Sequence, residues 1–417
     1  MQPDPAIDRK LLDRLIAEVS AFGATPGGGL NRLCASPEDG AARDWLKRLL
    51  VAHGCRVLVD RVGNMFGLLD LAGPDAPIVL AGSHLDSQPH GGRYDGAYGV
   101  VAAAVAAFAV AAKAGRADRP PRCNLAVVNW TNEEGARFAP STLGSNVYAG
   151  RLDPVAALAA TDAAGVTLGA ALAAIGYAGA DEAPARPLAY LEAHIEQGPH
   201  LEKEGKAIGV VEGNWGTVKY EVTCQGRAAH TGPTPMRERR DALLPAAALV
   251  LFVRELSDET GGALLSSVGR IDVTPNSTNV VAATARMFVE FRAVEASMLA
   301  RACARFEGRA RALEGDGIRL AVQRTVDRAP GRFDARLARV IEQEAGARGL
   351  ASMRMHTIAG HDAVPLAAIL PSAMLFVPSA GGISHNEAEF TRPEDLQAGA
   401  EVLAGALARL AWDGLPS

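Results

Sequence analysis

Residues 77–87, Pro-Ile-Val-Leu-Ala-Gly-Ser-His-Leu-Asp-Ser, decide the fold of the N-terminal part of the chain. A continuous apolar run ends here at a serine and a histidine, and residues 124–134 (NLAVVNWTNEE) repeat the pattern. Such runs are typical of strands that are buried on both faces of a sheet. They alternate with helical spacing over 11–22 and 41–51, which predicts a layered α/β domain. Ligand sites of such sheets gather at strand ends, so the polar residues that follow the runs are functional candidates.

Length and composition exclude several classes of protein. The chain has 417 residues, whereas one domain usually has roughly 100–200, so we expect two domains. With 48% hydrophobic and 21% charged residues it can form a packed core, which excludes a fibrous or disordered protein. A formal net charge of −5 excludes a dedicated nucleic-acid binder, because such proteins need a basic excess to neutralise phosphates.

The cysteines and the apolar runs indicate the compartment. Five scattered cysteines without a CxxC pair fit neither a disulfide framework nor a thiolate zinc site, and they favour a reducing cytoplasm. Residues 1–15 lack the basic start and apolar stretch of a signal peptide, so we expect no export. The longest low-polarity run, 97–112, is too short for a membrane span and is interpreted as a buried helix. We therefore expect a cytoplasmic protein with no membrane partner.

A different pattern begins near Glu212. The spacing predicts, in this order, a strand over 217–225, a helix over 240–256, strands over 265–272 and 279–294, a helix over 296–313 and a strand over 318–326. That order is the βαββαβ arrangement of a ferredoxin-like domain. The predicted fold class is α/β, with a catalytic α/β sandwich and mixed sheet over 1–211 and 328–417. The inserted ferredoxin-like α+β domain covers 212–327.

Five candidate metal ligands lie in glycine-rich or strand-end contexts. Imidazole and carboxylate ligands without thiolate suit Zn²⁺, Mn²⁺, Co²⁺ or Ni²⁺ rather than an iron–sulfur cluster. A single histidine or glutamate of this kind is most often structural or solvated, so their joint occurrence at strand ends carries the argument. The candidates are His84, Asp95, Glu134, His194 and His385.

Seven stretches together closely resemble one family, the hydantoinase/carbamoylase branch of the dinuclear metallopeptidase-like amidohydrolases. This branch includes N-carbamoyl-L-amino acid hydrolases, β-ureidopropionases and allantoate amidohydrolases. The resemblance runs in order from about residue 10 to residue 410. The stretches are GSHLDSQPHGGRYDG (82–96), NWTNEEGARF (129–138), EAHIEQGP (192–199), GRAAHTGPTPMRERRDA (226–242), PNSTNVV (275–281), AGHDA (359–363) and SHNEAE (384–389).

The resemblance implies a site with two divalent metal ions per subunit, Zn²⁺ or Mn²⁺ with Co²⁺ and Ni²⁺ as alternatives. Asp95 would bridge the ions, His84 and His194 would hold one, and Glu134 and His385 would hold the other. A shared carboxylate offsets the repulsion between the two cations, which together activate water near neutral pH. Asp86 resembles the carboxylate that accepts the other N–H of the ligand imidazole.

Glu133 is the predicted general base. It directly precedes Glu134, and at a strand-to-loop junction two adjacent side chains can point to different sides. One side chain would then face a metal ion and the other would face the water.

The resemblance also implies residues that bind the substrate. Arg292, on a predicted strand, matches the family arginine that binds a carboxylate, for which a guanidinium fork is well suited. His230 and Asn279 match positions that bind substrate or the developing oxyanion, while Gln197 and His361 match polar contacts around the metals. The family's inserted domain also pairs two subunits, so a homodimer is implied.

The predicted function is metal-dependent hydrolysis of the carbamoyl C–N bond of an N-carbamoyl-L-amino acid, which releases the amino acid, CO₂ and ammonia. The partner is therefore a small ureido compound with a carboxylate. Allantoate amidohydrolase and β-ureidopropionase remain alternatives within the branch, because their substrates differ in pocket shape. An aminopeptidase or N-acyl amino acid deacylase on the same scaffold is a further alternative. A catalytically silent metal-binding protein is disfavoured, because Glu133 and all five candidate ligands are present.

Overall fold

The computed structural model describes residues 5–416, which form two compact units. The larger unit runs up to Gly213 and resumes at Arg332, and the inserted unit is Asn214–Gly331. The domain boundaries predicted from the sequence, 211/212 and 327/328, lie a few residues from these bounds. Each unit has a hydrophobic core of its own.

The strands are as follows. They are β1 (Arg56–Val59), β2 (Met65–Leu69), β3 (Ile78–His84), β4 (Asn124–Trp130), β5 (Pro187–Ile195), β6 (Ile208–Asn214), β7 (Gly216–Gln225), β8 (Leu264–Thr274), β9 (Thr284–Ala293), β10 (Arg319–Arg328), β11 (Gly331–Arg332), β12 (Ser352–Thr357) and β13 (Ser372–Val377).

The helices are as follows. They are α1 (Arg9–Val19), α2 (Pro37–Ala52), α3 (Ala97–Ala114), α4 (Leu143–Tyr148), α5 (Pro154–Leu158), α6 (Leu168–Ala174), α7 (His200–Lys203), α8 (Leu243–Asp258), α9 (Ala296–Ala312), α10 (Ala335–Ala347), α11 (Ala363–Leu366) and α12 (Pro393–Asp413). The segments Met236–Glu238 and Ala380–Gly382 form 3₁₀ turns.

The large sheet is mixed, as predicted. Within the described residues its strand order is β1-β2-β4-β3-β5-β13-β6-β11, and β12 pairs with β6. Strand β3 is parallel to β4 and β5, and β13 is parallel to β5. Strand β2 runs antiparallel to β1 and β4, and β6 runs antiparallel to β13. The parallel centre is buried, so its strands have the continuous apolar runs that the sequence displays.

Successive residues of β3 enter different cores. Val79 and Ala81 pack with helix α3, while Ile78 and Leu80 belong to a second cluster on the other face. This alternation follows from the two-residue period of a strand and gives the α/β sandwich.

Helix α3 confirms the prediction of a buried helix over 97–112. It is long and apolar enough to cross a membrane by length and composition alone, yet 67% of it is buried inside the protein. It packs against β3, β4 and β5 and contacts helices α1 and α12. Its alanines let the helix approach the sheet and its neighbours closely, so it is the central core helix of the larger unit.

The inserted unit has the predicted ferredoxin-like order. It runs β7-α8-β8-β9-α9-β10, and its antiparallel sheet has the order β10-β7-β9-β8. Helices α8 and α9 cover one face, where Tyr220, Phe291 and Phe306 form the aromatic centre of the core.

One predicted strand is shorter than expected. The sequence indicates a strand from Asn279, whereas β9 begins at Thr284. The apolar residues Val280 and Val281 pair with the loop that contains His230 and not with a neighbouring strand. Val280 forms an isolated β-bridge with His230, and the Val281 N–H donates to the Ala229 carbonyl at 2.8 Å. Alternating apolar residues can therefore belong to a loop contact as well as to a strand.

Candidate metal centre

Three neighbouring strands bring the candidate residues to one edge of the large sheet. Strand β3 ends at His84, β4 is followed by Glu133 and Glu134, and His194 lies near the end of β5. Strand β3 is parallel to β4 and β5, so all three end on the same side. The polar residues that follow the apolar runs therefore collect at this edge.

His84 and His194 present the same ring nitrogen to the site. Nδ1 of His84 donates to the Asp86 carbonyl at 2.9 Å, and Nδ1 of His194 donates to the Ile195 carbonyl at 2.9 Å. Because Nδ1 of each ring is bound to a backbone carbonyl, Nε2 is the nitrogen that faces the site, and in the neutral ring Nε2 has the lone pair that can bind a metal ion. Both side chains are buried.

Asp86 contacts its neighbours differently from the prediction. The sequence predicts that the Asp86 carboxylate accepts the His84 N–H, but the Asp86 backbone carbonyl takes it, and the carboxylate lies 3.7 Å from Nδ1. The carboxylate is occupied because it accepts the backbone N–H groups of Glu133 and Glu134, each at 3.2 Å. Burial raises the pKa of Asp86 to about 7. The predicted contact between the Asp86 carboxylate and His84 is therefore wrong, and this carboxylate holds the backbone of the two glutamates instead.

Asp95 contacts three imidazoles. Its Oδ1 lies 3.2 Å from Nε2 of His194 and 3.7 Å from Nε2 of His84, and its Oδ2 lies 3.2 Å from Nε2 of His385. Burial alone would raise the pKa of Asp95, but the hydrogen bonds with His194 and His385 hold this pKa well below its usual range. Gln197 Nε2 donates to Oδ2 at 2.8 Å. Asp95 is therefore the shared acid of the site.

Glu134 and His385 meet on the other side of Asp95. Nε2 of His385 lies 3.5 Å from Oε2 of Glu134. Gln88 holds this glutamate in place, since its Nε2 donates to Oε2 at 2.9 Å and its backbone N–H donates to Oε1 at 3.1 Å. The sequence reasoning did not single out Gln88, although it lies in the quoted stretch 82–96.

Glu133 faces a different partner from Glu134. Its Oε2 lies 3.6 Å from Nε2 of His84, whereas Glu134 contacts Gln88 and His385. Burial, followed by the negative charges of Asp362 and Glu134, raises the pKa of Glu133 well above its usual range. A carboxyl group in this position can accept a proton and return it during a reaction.

The donor set fits divalent metal ions. Ligand atoms of His84, Asp95 and His194 lie within 4.8 Å of one another, and so do those of Asp95, Glu134 and His385. Asp95 belongs to both groups. The donors are imidazole nitrogens and carboxylate oxygens without thiolate, which suits Zn²⁺, Mn²⁺, Co²⁺ or Ni²⁺. Several buried acids crowd one place, and a cation among them would stabilise their ionised forms.

A cavity of about 150 Å³ opens onto these groups. It contains the five candidate ligands, the predicted base and the two predicted polar contacts of the larger unit. Its lining residues are His84, Gln88, Asp95, Glu133, Glu134, Ser141, His194, Gln197, Ala359, Gly360, His361 and His385.

Two further buried acids lie behind the cavity, and the sequence reasoning missed both. Glu192 accepts hydrogen bonds from Ser83 Oγ at 2.7 Å and from the Ala363 N–H at 2.9 Å. Asp362 accepts a hydrogen bond from Ser145 Oγ at 2.5 Å. Ligand atoms of Glu192, His194 and His361 also lie within 4.8 Å of one another. Only their positions beside histidines in the quoted stretches 192–199 and 359–363 could have pointed to them.

The other predicted site residues lie in the inserted unit. The structure brings His230 and Asn279 together, because the Thr231 N–H donates to the Asn279 carbonyl at 3.1 Å. Both residues are exposed on loops. Arg292 lies on β9, where its guanidinium pairs with Glu290. The predicted substrate contacts are thus divided between the two units.

The chain is similar to a known protein family and to several known proteins. The model of peptidase family M20/M25/M40 matches residues 80–409. A relative from Mycolicibacterium smegmatis, named only as a hydrolase, is 45% identical over 416 residues, which are 98% of this chain and 94% of the relative. An N-carbamoyl-L-amino-acid amidohydrolase from Rhizobium meliloti is 37% identical over 94% of each chain. An allantoate amidohydrolase from Escherichia coli is 33% identical over 97% of this chain and 98% of the relative.

The chain is also similar to a solved structure. An amidase of the hydantoinase/carbamoylase family from Burkholderia multivorans superposes with a TM-score of 0.89 and 39% identity, covering 100% of both chains. The fold and these similarities define a hydrolase that acts on amide C–N bonds. The chain belongs to peptidase family M20/M25/M40, a metal-dependent family, and to its hydantoinase/carbamoylase branch. The resemblance stated from the sequence motifs is confirmed.

Proposed function

We propose that this protein hydrolyses the carbamoyl C–N bond of an N-carbamoyl-L-amino acid and releases the amino acid, CO₂ and ammonia. The observation that carries the proposal is the cavity in which Asp95 is shared by two candidate ligand groups beside Glu133. The relative from Rhizobium meliloti, named for this activity, supports the choice of substrate. The relative named allantoate amidohydrolase makes allantoate the second candidate.

The proposal assigns two divalent ions to this cavity, Zn²⁺ or Mn²⁺ with Co²⁺ and Ni²⁺ as alternatives. His84 and His194 would hold one ion, and Glu134 and His385 would hold the other. Asp95 would bind both ions. Bound ions would lower the pKa of water and polarise the carbamoyl oxygen. The support in this chain is the pair of Nδ1 donations that leave Nε2 of His84 and His194 facing Asp95.

Glu133 moves the proton in the proposed reaction. It takes a proton from the attacking water, whose oxygen forms a bond to the carbamoyl carbon. The bond from that carbon to the amino-acid nitrogen then breaks, and Glu133 returns the proton to this nitrogen. The products are the amino acid and carbamate, which decays to CO₂ and ammonia.

Other residues would bind the substrate. Gln197 and His361 line the cavity and would contact the ureido group. Arg292 would bind the carboxylate, because a planar guanidinium can donate two parallel hydrogen bonds to it. His230 and Asn279 would stabilise the charge that develops on the carbonyl oxygen, an interaction commonly worth about 2.7–4 kcal/mol per donor.

We also propose a cytoplasmic homodimer. The sheet of the inserted unit has two edge strands, β8 and β10, and helix α8 exposes Leu244 and Leu251 at 65% and 66%. Open sheet edges and exposed apolar side chains are typical of surfaces that pair with another chain. All five cysteines are free, as expected in a reducing compartment.

Ammonia release by the metal-stripped protein, with and without added Mn²⁺, Co²⁺, Ni²⁺ or Zn²⁺, tests the proposal. The substrates are N-carbamoyl-L-amino acids, N-carbamoyl-β-alanine and allantoate, while dipeptides and N-acetyl amino acids are scored by amine release. We expect metal-dependent turnover of N-carbamoyl-L-amino acids. Turnover of only allantoate or N-carbamoyl-β-alanine would move the enzyme within its branch, and turnover of only peptides or acetyl amino acids would refute the proposed reaction.

A further inference from the structure

The carboxylate of Glu389 joins two loops that carry candidate ligands. This side chain is 4% exposed, and its Oε1 accepts the backbone N–H groups of Tyr94 and Asp95 at 3.0 and 3.1 Å. Its Oε2 accepts a hydrogen bond from Ser384 Oγ at 2.7 Å. Ser384 directly precedes His385. One buried carboxylate therefore contacts both the segment of Asp95 and the segment of His385.

These contacts close a ring of hydrogen bonds through Asp95. Gln197 Nε2 donates to Asp95 Oδ2 at 2.8 Å and to Ser384 Oγ at 3.2 Å. Ser384 in turn donates to Glu389, which accepts the Asp95 N–H. The backbone and the side chain of Asp95 are both held by this ring. The direction of the Asp95 carboxylate is thereby coupled to the loop that presents His385.

Gly92 makes room for this carboxylate. A Cβ atom at Gly92 would lie 2.0 Å from Oε1 and from the carboxyl carbon of Glu389, far inside van der Waals contact. The φ angle of Gly92 is not in the left-handed region, so the close approach and not the backbone conformation requires glycine here.

We propose that Glu389 is a positioning residue that holds Asp95 and His385 in the relative placement that two metal ions need. The inference rests on the ligand set of the proposed function, since it concerns how those ligands are held. Groups that orient metal ligands typically change metal affinity by about 10–100-fold when they are removed. Glu389 has no role in the proton transfer, which belongs to Glu133.

Mn²⁺ binding to the metal-stripped full chain, measured by competition with a chelating indicator, tests this role. We expect Glu389→Ala to weaken binding by about 10–100-fold. Glu389→Gln should stay within about threefold, because its amide oxygen can accept both N–H groups and its nitrogen can donate to Ser384 Oγ. The matched control is Glu394→Ala, at an exposed glutamate that lies 3.7 Å from Arg392, and it should bind like wild type.

The outcomes separate this inference from the function on which it rests. Wild-type protein that binds no Mn²⁺ would remove the ligand set and the inference with it. Wild-type protein that binds Mn²⁺ while Glu389→Ala binds equally well would overturn the inference alone. Equal losses in Glu389→Ala and Glu389→Gln would also overturn it, because the negative charge would then matter and not the hydrogen-bond geometry. If Glu389→Ala does not fold, Gly92→Ala, which displaces the carboxylate, should weaken Mn²⁺ binding, and unchanged binding would overturn the inference.

Discussion

The two units of the chain differ in how deeply they bury most of their candidate residues. In the larger unit His84, Asp95 and His194 are at most 4% exposed and are fixed by hydrogen bonds from several directions. In the inserted unit His230 and Asn279 are exposed on loops. Side chains that are buried and hydrogen-bonded are preorganised to bind metal ions, whereas exposed donors on loops are available to a small molecule. This difference supports the proposal that the larger unit holds the metal ions and that the inserted unit contributes to substrate binding.

Replacing Glu133 should give the largest effect. Glu133→Ala should keep bound metal but lower kcat by on the order of 10²–10⁴, because general acid–base catalysis contributes that much. The measurement is kcat together with metal content. An unchanged kcat would remove Glu133 from the mechanism, and loss of metal from the variant would make it a ligand instead.

Gly96→Ala should weaken the preorganisation of the larger unit. Gly96 has φ of +64°, and an added Cβ would lie 2.3 Å from the His84 ring. We expect Mn²⁺ affinity to fall by about 10–100-fold as the ring is displaced. Gly150→Ala is the matched control, because Gly150 has φ of +68° and no atom within 4 Å of the added Cβ. Equal Mn²⁺ affinities in the two variants would show that the close approach of residue 96 to the His84 ring does not affect metal binding.

Arg292→Lys should have a smaller effect that is confined to recognition. Lysine keeps the charge but loses the bidentate fork, so we expect KM for carboxylate-bearing substrates to rise by about tenfold at nearly constant kcat. Arg286→Lys, on the same strand and paired with Glu221, should leave KM unchanged. If both variants keep the wild-type KM, the carboxylate is bound elsewhere and the assignment of recognition to Arg292 is wrong.

Most of the fold could be predicted, because its signals are local. The apolar runs of β3 and β4 and the βαββαβ order of the inserted unit are visible as periodicity. Strand β12 (Ser352–Thr357) was not predicted, although Met353 and Met355 alternate with Arg354 and His356, because two apolar residues are a short signal for a strand. Its pairing with β6 and the packing of its methionines complete the signal that the sequence carries in part.

The candidate ligands could be found from motifs, but the contacts that hold them could not. Asp86 was expected to accept from His84, yet two backbone N–H groups occupy its carboxylate. In sequence, Glu389 resembles a solvated acid. Its burial depends on Gly92, which lies almost 300 residues away along the chain. Such contacts are set by tertiary packing, on which local patterns carry no information.

Titration of Mn²⁺ into the metal-stripped protein, followed by ammonia release from an N-carbamoyl-L-amino acid, tests the central claim most directly. The shared position of Asp95 predicts no release without metal, a rise that is complete near two equivalents per chain, and no recovery in Asp95→Asn at any Mn²⁺ concentration. Full ammonia release by the stripped protein, or wild-type recovery of Asp95→Asn, would contradict a hydrolytic site built on a shared aspartate.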